Sequence, residues 1–532
     1  MKKLVVLLLI ASLSTFAAPS FGSGQNSLSS IDSSQSFAVY WGSGSGIAWP
    51  QLTRYPKDKD PNYTGLFVFP VCSSSLKNDC IISIEFQNPT GLWVKGNFVQ
   101  YLPLSDHYVE LAGNLVSKSA EPIHNFPASE RSGIWQFPGL THDGGSQFMF
   151  SSSIYGEFSN RTDPLATGSI FQFDGVGPFM TLDAVSVSTL PGGNNTDPNS
   201  WCTSGEPQLT CIKKFDLPAN TPFRATLNFK YAKTFWNSYN WLLVAGSNPS
   251  ISSLPNSDGT VNYQFTALPE TRISPVSLIP KTQQGYDDLT AGFKAFLNEA
   301  SPGQVFYNPW GDFAKWKDMN GNDSVDGEQP GAFSMWPLLE KYLAPQYFSE
   351  TNSWGFRKAQ PTGTDFTWVS QCGASGDISG FVATNASIAK PAPPHWNPET
   401  QTLDFKIASP HTNSDGVPTV GSYDLGLSTK VANCLWGTNV AGAKAEISIV
   451  DSSGSSTVTT STLRNDKNYI YFDIAGFHYS TDTISIKLKF DSPVAPKPQA
   501  KKSTISCVKG KLMKKVTAVN PSCPSGYKLK SA

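Results

Sequence analysis

The chain has 532 residues and a formal net charge of −1, with 15% charged residues, 12% aromatics, 43 glycines and 39 prolines. Low charge, many aromatics and frequent turn formers suit short strands joined by tight turns, and exclude a protein built of long helices, which need Ala, Leu, Glu and Lys. The near-neutral balance gives no global reason for nucleic-acid binding, and the length allows three or four domains of ~150 residues.

In chain order, residues 1–22 read as a secretory signal peptide. Lys2 and Lys3 form a positive start, Leu4 to Ala11 an apolar run, and small residues follow, with cleavage after Ala17 or after Gly22. That run is shorter than the ~20 residues that span a bilayer, and no later segment is long and apolar enough. The expected address is therefore extracellular, secreted or cell-wall associated. Residues 23–36 form a flexible Ser/Gly linker.

Residues 37–245 read as an N-terminal β-region. Strands are expected at Leu66–Phe69, Ile81–Phe86, Ser169–Phe173, Ala184–Ser188 and Ala225–Tyr231, separated by turn clusters such as His142-Asp143-Gly144-Gly145. Cys72 to Cys80 and Cys202 to Cys211 both look like a disulfide-closed loop opening a strand, through either two related modules or coincidence. Near the end of this region Phe235, Trp236, Tyr239 and Trp241 alternate like a strand, and Trp and Tyr faces stack on sugar rings when exposed. They are the candidate carbohydrate-binding residues; core packing is the competing reading, for them as for Trp41, Trp49, Trp93 and Trp135.

Residues 246–350 change character. Leu289, Phe293, Phe296 and Leu297 give a helical period over Asp287 to Glu299, and Pro337 to Leu343 repeats it. Between these helices Asp318, Asn320 and Asn322 stand at alternate positions. Ser324 offers a backbone carbonyl, and Asp326 a further carboxylate. Calcium takes six to eight oxygen ligands from such a loop. The run resembles the calcium loops of EF-hand and dockerin repeats, with two departures. Asp323 stands where a Gly makes the sharp turn, and Gln329 where a Glu binds bidentately, with Glu328 as the candidate substitute one residue away. Those departures predict low affinity, ~0.1–1 mM. An Asx-rich turn without an ion is the alternative.

Residues 351–490 read as a C-terminal β-sandwich, with strands at Ala445–Val450, Thr457–Leu463, Tyr469–Ile474 and Thr483–Phe490. Residues 491–503 form a Pro/Ala/Lys linker, and 504–532 a basic disulfide tail. From Ala495 onward there are nine lysines and no acidic residue, and removing those nine charges from −1 leaves −10 on the rest. Such a tail is drawn to anionic wall polymers or lipid headgroups.

Eight cysteines leave about a hundred connectivities open. Sequential pairing of Cys72 with Cys80, Cys202 with Cys211, Cys372 with Cys434 and Cys507 with Cys523 is the economical choice, because each bridge then stays within one module. No CxxC pair favours zinc.

No sequence signature assigns a reaction. HExxH, the GxSxG elbow, a Walker loop and GxGxxG are absent. Ser74 and Lys77 match SxxK without its partner motifs, and His142-Asp143 is at most half of a triad.

Ser409-Pro410-His411, Gly421-Ser422-Tyr423-Asp424, Ala432-Asn433-Cys434-Leu435-Trp436-Gly437 and Ala475-Gly476-Phe477-His478-Tyr479-Ser480 resemble a C-terminal β-domain of uncharacterised exported actinobacterial proteins. The Cys507–Lys528 stretch is similar to short basic disulfide tails in the same group. The resemblance implies export and a surface setting, and no activity.

The expectation is a mainly-β, multidomain protein of β-sandwich type with a central helical segment. Its leading function is non-catalytic binding of carbohydrate or an anionic cell-wall polymer, with calcium as the candidate cofactor and nucleic acid no partner. Alternatives are a polysaccharide hydrolase with unassigned carboxylates, or a structural surface-layer component.

Overall fold

A computed structural model of the protein describes residues 36–40, 51–55, 62–103, 127–159, 171–172, 179–191, 200–202, 208–230, 236, 240–280, 306–307, 336, 340–359, 366–373, 377–390, 392–437, 440, 444–450, 456–457, 460–466, 468–479, 481–489, 503–518 and 521–530. The chain is mainly β, and the described strands form several sheets. The largest runs in the order Gln51–Tyr55, Asn62–Val68, Gln147–Phe158, Phe179–Pro191, Ser349–Lys358, Trp241–Ala245, Gly380–Thr384, Val420–Ser428, Tyr469–His478 and Thr460–Asn465, with shorter strands attached. Its neighbours pair antiparallel except at the centre, where Trp241–Ala245 runs parallel to Gly380–Thr384.

Two further sheets pack on this one. The strands Ser247–Pro255, Val261–Leu268, Phe223–Phe229, Cys80–Gln87 and Trp93–Lys95 make a five-stranded sheet. Its Ile84, Phe86, Phe223, Leu227 and Phe265 share a core with Phe148, Leu182, Trp354 and Phe356 of the large sheet. A six-stranded sheet, including Thr402–Ala408, Lys444–Val450 and Thr481–Lys489, shares a second core with Tyr423, Leu425, Phe472 and Ile474. Side chains alternate across a strand, and the central strands use both faces. Leu242, Val244, Phe381 and Ala383 enter the first core, while Trp241 and Val382 enter the second. All five residues of Gly380–Thr384 are therefore buried.

Disulfides add covalent links within the chain. Cys72–Cys80, Cys372–Cys434 and Cys507–Cys523 are disulfides. Cys211 is also disulfide-bonded, and the backbone register sets Cys202 opposite it. Cys372–Cys434 joins helix Phe366–Cys372 to helix Thr429–Trp436, the latter capped by Ser428 and ended by Gly437 at φ 66°. Closing that loop stabilises by ~4 kcal/mol in the chain-entropy picture.

Several expectations change. The strands near 66, 81, 184, 225, 445, 469 and 483 form as expected. The boundary placed after residue 245 does not mark a structural change, because Ser247–Pro255 and Val261–Leu268 complete the five-stranded sheet begun by Cys80–Gln87. Strands from residues 37–245 and from residues 351–490 both contribute to the large sheet. The two short-loop cysteine pairs are no repeat: Cys80 opens a strand of the five-stranded sheet, whereas Cys211 lies inside Gln208–Phe215 of the large one. Of the helix expected over Pro337–Leu343, the described part is a 3-10 turn at Glu340–Tyr342. The helix at Asp287–Glu299 lies outside the described residues. Among the described residues, no helix is long and apolar enough to cross a membrane.

Candidate binding face

The expected aromatic cluster divides. Trp236 and Trp241 are both 0% exposed. Trp241 begins a strand and packs edge-on against Trp368 at 5.6 Å, and Trp236 packs against Tyr263 at 5.7 Å. They are core residues and offer no face to a sugar, which corrects their assignment as a binding surface. The physical reason is position: this segment leads into the strand between both cores, where large side chains fill volume. Phe235 and Tyr239 lie outside the described residues, as do Asp318, Asn320, Asn322, Ser324, Asp326 and Glu328 of the calcium loop. Trp135 is likewise buried.

Among the described residues, Trp93 is an aromatic that reaches solvent with polar company. It follows the turn Asn88-Pro89-Thr90-Gly91. The Asn88 carboxamide oxygen accepts from the Thr90 amide at 3.1 Å, the Thr90 hydroxyl at 2.7 Å and the Leu92 amide at 2.9 Å. Gly91 adopts φ 83°, a left-handed conformation that glycine takes without strain. Gln87 closes the turn by donating to the Gly91 carbonyl at 2.9 Å. This fixes the short edge strand Trp93–Lys95 against Cys80–Gln87.

Trp93 then meets Arg224. The guanidinium carbon stands 4.1 Å from the ring centroid, a cation–π stack. Arg224 Nε donates to Glu85 Oε2 at 2.7 Å, and Nη2 lies 2.5 Å from the same oxygen. The register extends this group into rows across the sheet. Ser250, Thr266, Arg224, Glu85 and Lys95 stand opposite one another strand by strand. Ser252, Gln264, Thr226 and Ser83 form the next row, with Gln264 Nε2 donating to the Thr226 hydroxyl at 3.4 Å. At the far end Asn228 donates to Thr260 Oγ1 at 3.0 Å and to Asn262 Oδ1 at 2.9 Å.

One side of the sheet thus carries the first core, and the other presents hydroxyls, carboxamides, one ion pair and a stacked indole. The outer residues range from exposed at Ser252 and Lys95 through half-buried at Arg224, Thr226 and Gln264 to buried at Ser83 and Asn228. A polyhydroxylated chain can lie across strands on such a face, exchanging hydrogen bonds with the rows and van der Waals contact with Trp93. The signal was present in the sequence: Phe223-Arg224-Ala225-Thr226-Leu227-Asn228-Phe229 and Val261-Asn262-Tyr263-Gln264-Phe265-Thr266-Ala267 both alternate cleanly.

The triad and SxxK matches resolve differently. His142 Nδ1 accepts from the Gly144 amide at 3.1 Å, so Nε2 carries the proton and donates to the Gln147 carbonyl at 2.8 Å. Both ring nitrogens serve the turn, and burial pushes the imidazole pKa down. Ser74 and Lys77 are exposed residues of the Cys72–Cys80 loop.

Buried carboxyls form a separate group. Asp424 is 7% exposed, and its Oδ2 accepts from the Asn248 amide at 2.7 Å, tying the large sheet to the five-stranded one. Burial, with Asp473 opposite it and Glu270 nearby, pushes its pKa up to about 8, against the opposing pull of Arg464. Arg464 instead holds Asp473 in a bidentate pair at 2.6 and 3.0 Å. Burial also raises Glu270, whose Oε1 accepts from the Ser422 hydroxyl. These acids are engaged in joining strands. Among the described residues, no group of three or more His, Cys, Asp or Glu is arranged to hold a metal ion. No protein-family model matches the chain, and no curated protein is significantly similar to it.

Proposed function

We propose that the protein is an exported, non-catalytic carbohydrate- or wall-polymer-binding protein that uses the outer face of its five-stranded sheet. The observation that carries this reading is the pair of polar rows crossing the sheet beside the Trp93–Arg224 stack. Such a face suits a chain of sugar units better than a reaction, since binding needs many shallow hydrogen bonds and catalysis a few enclosed groups. The disulfides fit an oxidising compartment, and the signal-like residues 1–22 supply the route. Calcium at Asp318–Glu328 remains a companion proposal, tested by titration calorimetry with millimolar calcium.

The test is depletion of the protein from solution by insoluble glycans and purified cell wall, at moderate salt. Trp93→Ala and Thr226→Ala/Gln264→Ala should each reduce depletion severalfold while leaving the melting temperature near that of the parent. Parent-level depletion by all of these variants would remove the face from consideration.

A further inference from the structure

Near the C-terminal end three strands form a small sheet of their own, in the order Leu512–Ala518, Ser503–Lys509, Lys528–Leu529. Ser503–Lys509 and Leu512–Ala518 form a hairpin in which Lys509 pairs with Leu512, leaving the two-residue turn Gly510-Lys511. Gly510 takes φ 59°, as the first position of a tight hairpin turn of this kind requires. Cys507 is fully buried and bridged to Cys523, so the disulfide stands in for the core that so small a unit lacks.

The tip and one face of this unit combine two features. Leu512 is 64% exposed and Met513 59%, adjacent residues directly after the turn. Lys509 and Lys511 flank them, and both are exposed. On the face that bears Met513, the register places Val508 and Lys528 beside it, with Lys515, Ser506 and Lys530 in the next row. No acidic residue occurs anywhere from residue 495 onward. A purely electrostatic partner engages the lysines and leaves Leu512 and Met513 in water. An anionic bilayer uses both, drawing basic residues to its headgroups and apolar ones to the acyl boundary.

We propose that residues 503–530 are a membrane-docking module, in which the Leu512–Met513 hairpin tip enters the interface of an anionic lipid bilayer while the surrounding lysines pair with headgroups. This surface is separate from the sheet face proposed for carbohydrate, and its success or failure leaves that reading untouched.

The experiment uses the full chain and three probes: vesicles of phosphatidylcholine, vesicles of phosphatidylcholine with phosphatidylglycerol, and alginate as an anionic polysaccharide without an apolar phase. The chain should sediment with the phosphatidylglycerol vesicles and not with the neutral ones. Leu512→Ser/Met513→Ser should weaken that binding at least about tenfold, the scale of one buried apolar side chain, and leave any alginate binding as it was. Leu512→Met/Met513→Leu should bind vesicles like the parent, and peptide mapping of Cys507–Cys523 reports that each variant keeps its bridge. Equal vesicle binding by the parent and the serine variant would overturn the proposal. So would binding to alginate but not to phosphatidylglycerol vesicles, which would make the partner a polymer held by charge alone, or no binding to either.

Discussion

The segment around Trp236 and Trp241 and the outer face of the five-stranded sheet exchange the roles their compositions suggest. The first is dense in aromatics, yet both tryptophans described there are sealed in the cores. The second has a single tryptophan among Ser, Thr, Asn and Gln, yet it is the side that meets solvent. Aromatic density marks where volume must be filled. A binding face is marked by alternation, with apolar residues facing in and hydrogen-bonding residues facing out on adjacent strands. The largest difference between the regions should therefore appear in stability rather than in binding. Trp241→Ala removes a buried side chain that packs on Trp368 within the second core and should cost about 3–5 kcal/mol. Thermal or denaturant unfolding reads this directly; a loss under about 1 kcal/mol would mean that Trp241 is not the packing residue described above.

A smaller effect should come from the junction between the sheets, where Asp424 accepts from the Asn248 amide. The folded-state pKa of Asp424 is raised to about 8, so the native protein holds this proton more tightly than the unfolded chain does. A raised carboxyl contributes most to stability when protonated in both states and progressively less as pH rises from about 4 through about 8. The groups facing it are Asp473, Glu270 and Arg464, and the two acids act in the same direction as burial. Asp424→Asn keeps an oxygen for the Asn248 amide and removes the titration. It should flatten the fall in stability between pH 5 and 8 and raise stability at pH 8 by up to a few kcal/mol. An unchanged pH slope would place the titrating group elsewhere.

How much of this was legible in the sequence follows from which forces act locally. Strands such as Cys80–Gln87, Phe223–Phe229 and Lys444–Val450 were readable because β-branched and alternating residues specify them within a few positions. Three disulfides follow the sequential pairing. Layering was not readable. The large sheet places Trp241–Ala245 between Ser349–Lys358 and Gly380–Thr384, partners more than a hundred residues away, and no local pattern encodes such pairing. The reading of Trp236 and Trp241 as a binding surface failed for the same reason, since local sequence does not tell a buried aromatic from an exposed one. The site at Trp93 was half legible. The Asn88-Pro89-Thr90-Gly91 turn and the alternation of Phe223–Phe229 are local, but the stack of Arg224 on Trp93 depends on Cys80–Gln87 lying between their strands.

The smallest stability effect, and the sharpest contrast with Trp241, belongs to that stack. The Arg224–Glu85 pair keeps roughly a fifth of each side chain exposed, so water screens it, and partly exposed ion pairs contribute about 0–1 kcal/mol. The cation–π contact with Trp93 adds about 0.5–1 kcal/mol at such a site. Arg224→Ala should accordingly lower stability by no more than about 2 kcal/mol, with a part of that from lost packing of its aliphatic stem. Arg224→Lys retains the charge but not the planar stack or the fork on Glu85. If the outer face binds glycan through a rigid Trp93 platform, Arg224→Lys should weaken depletion by glycan nearly as much as Arg224→Ala does, while melting close to the parent. If only the positive charge matters, Lys will restore binding and added salt will abolish it, and the partner is then an anionic polymer held by electrostatics. Large stability loss with binding preserved per folded molecule would move Arg224 into the company of Trp241, as a residue that holds the sheet and touches nothing outside it.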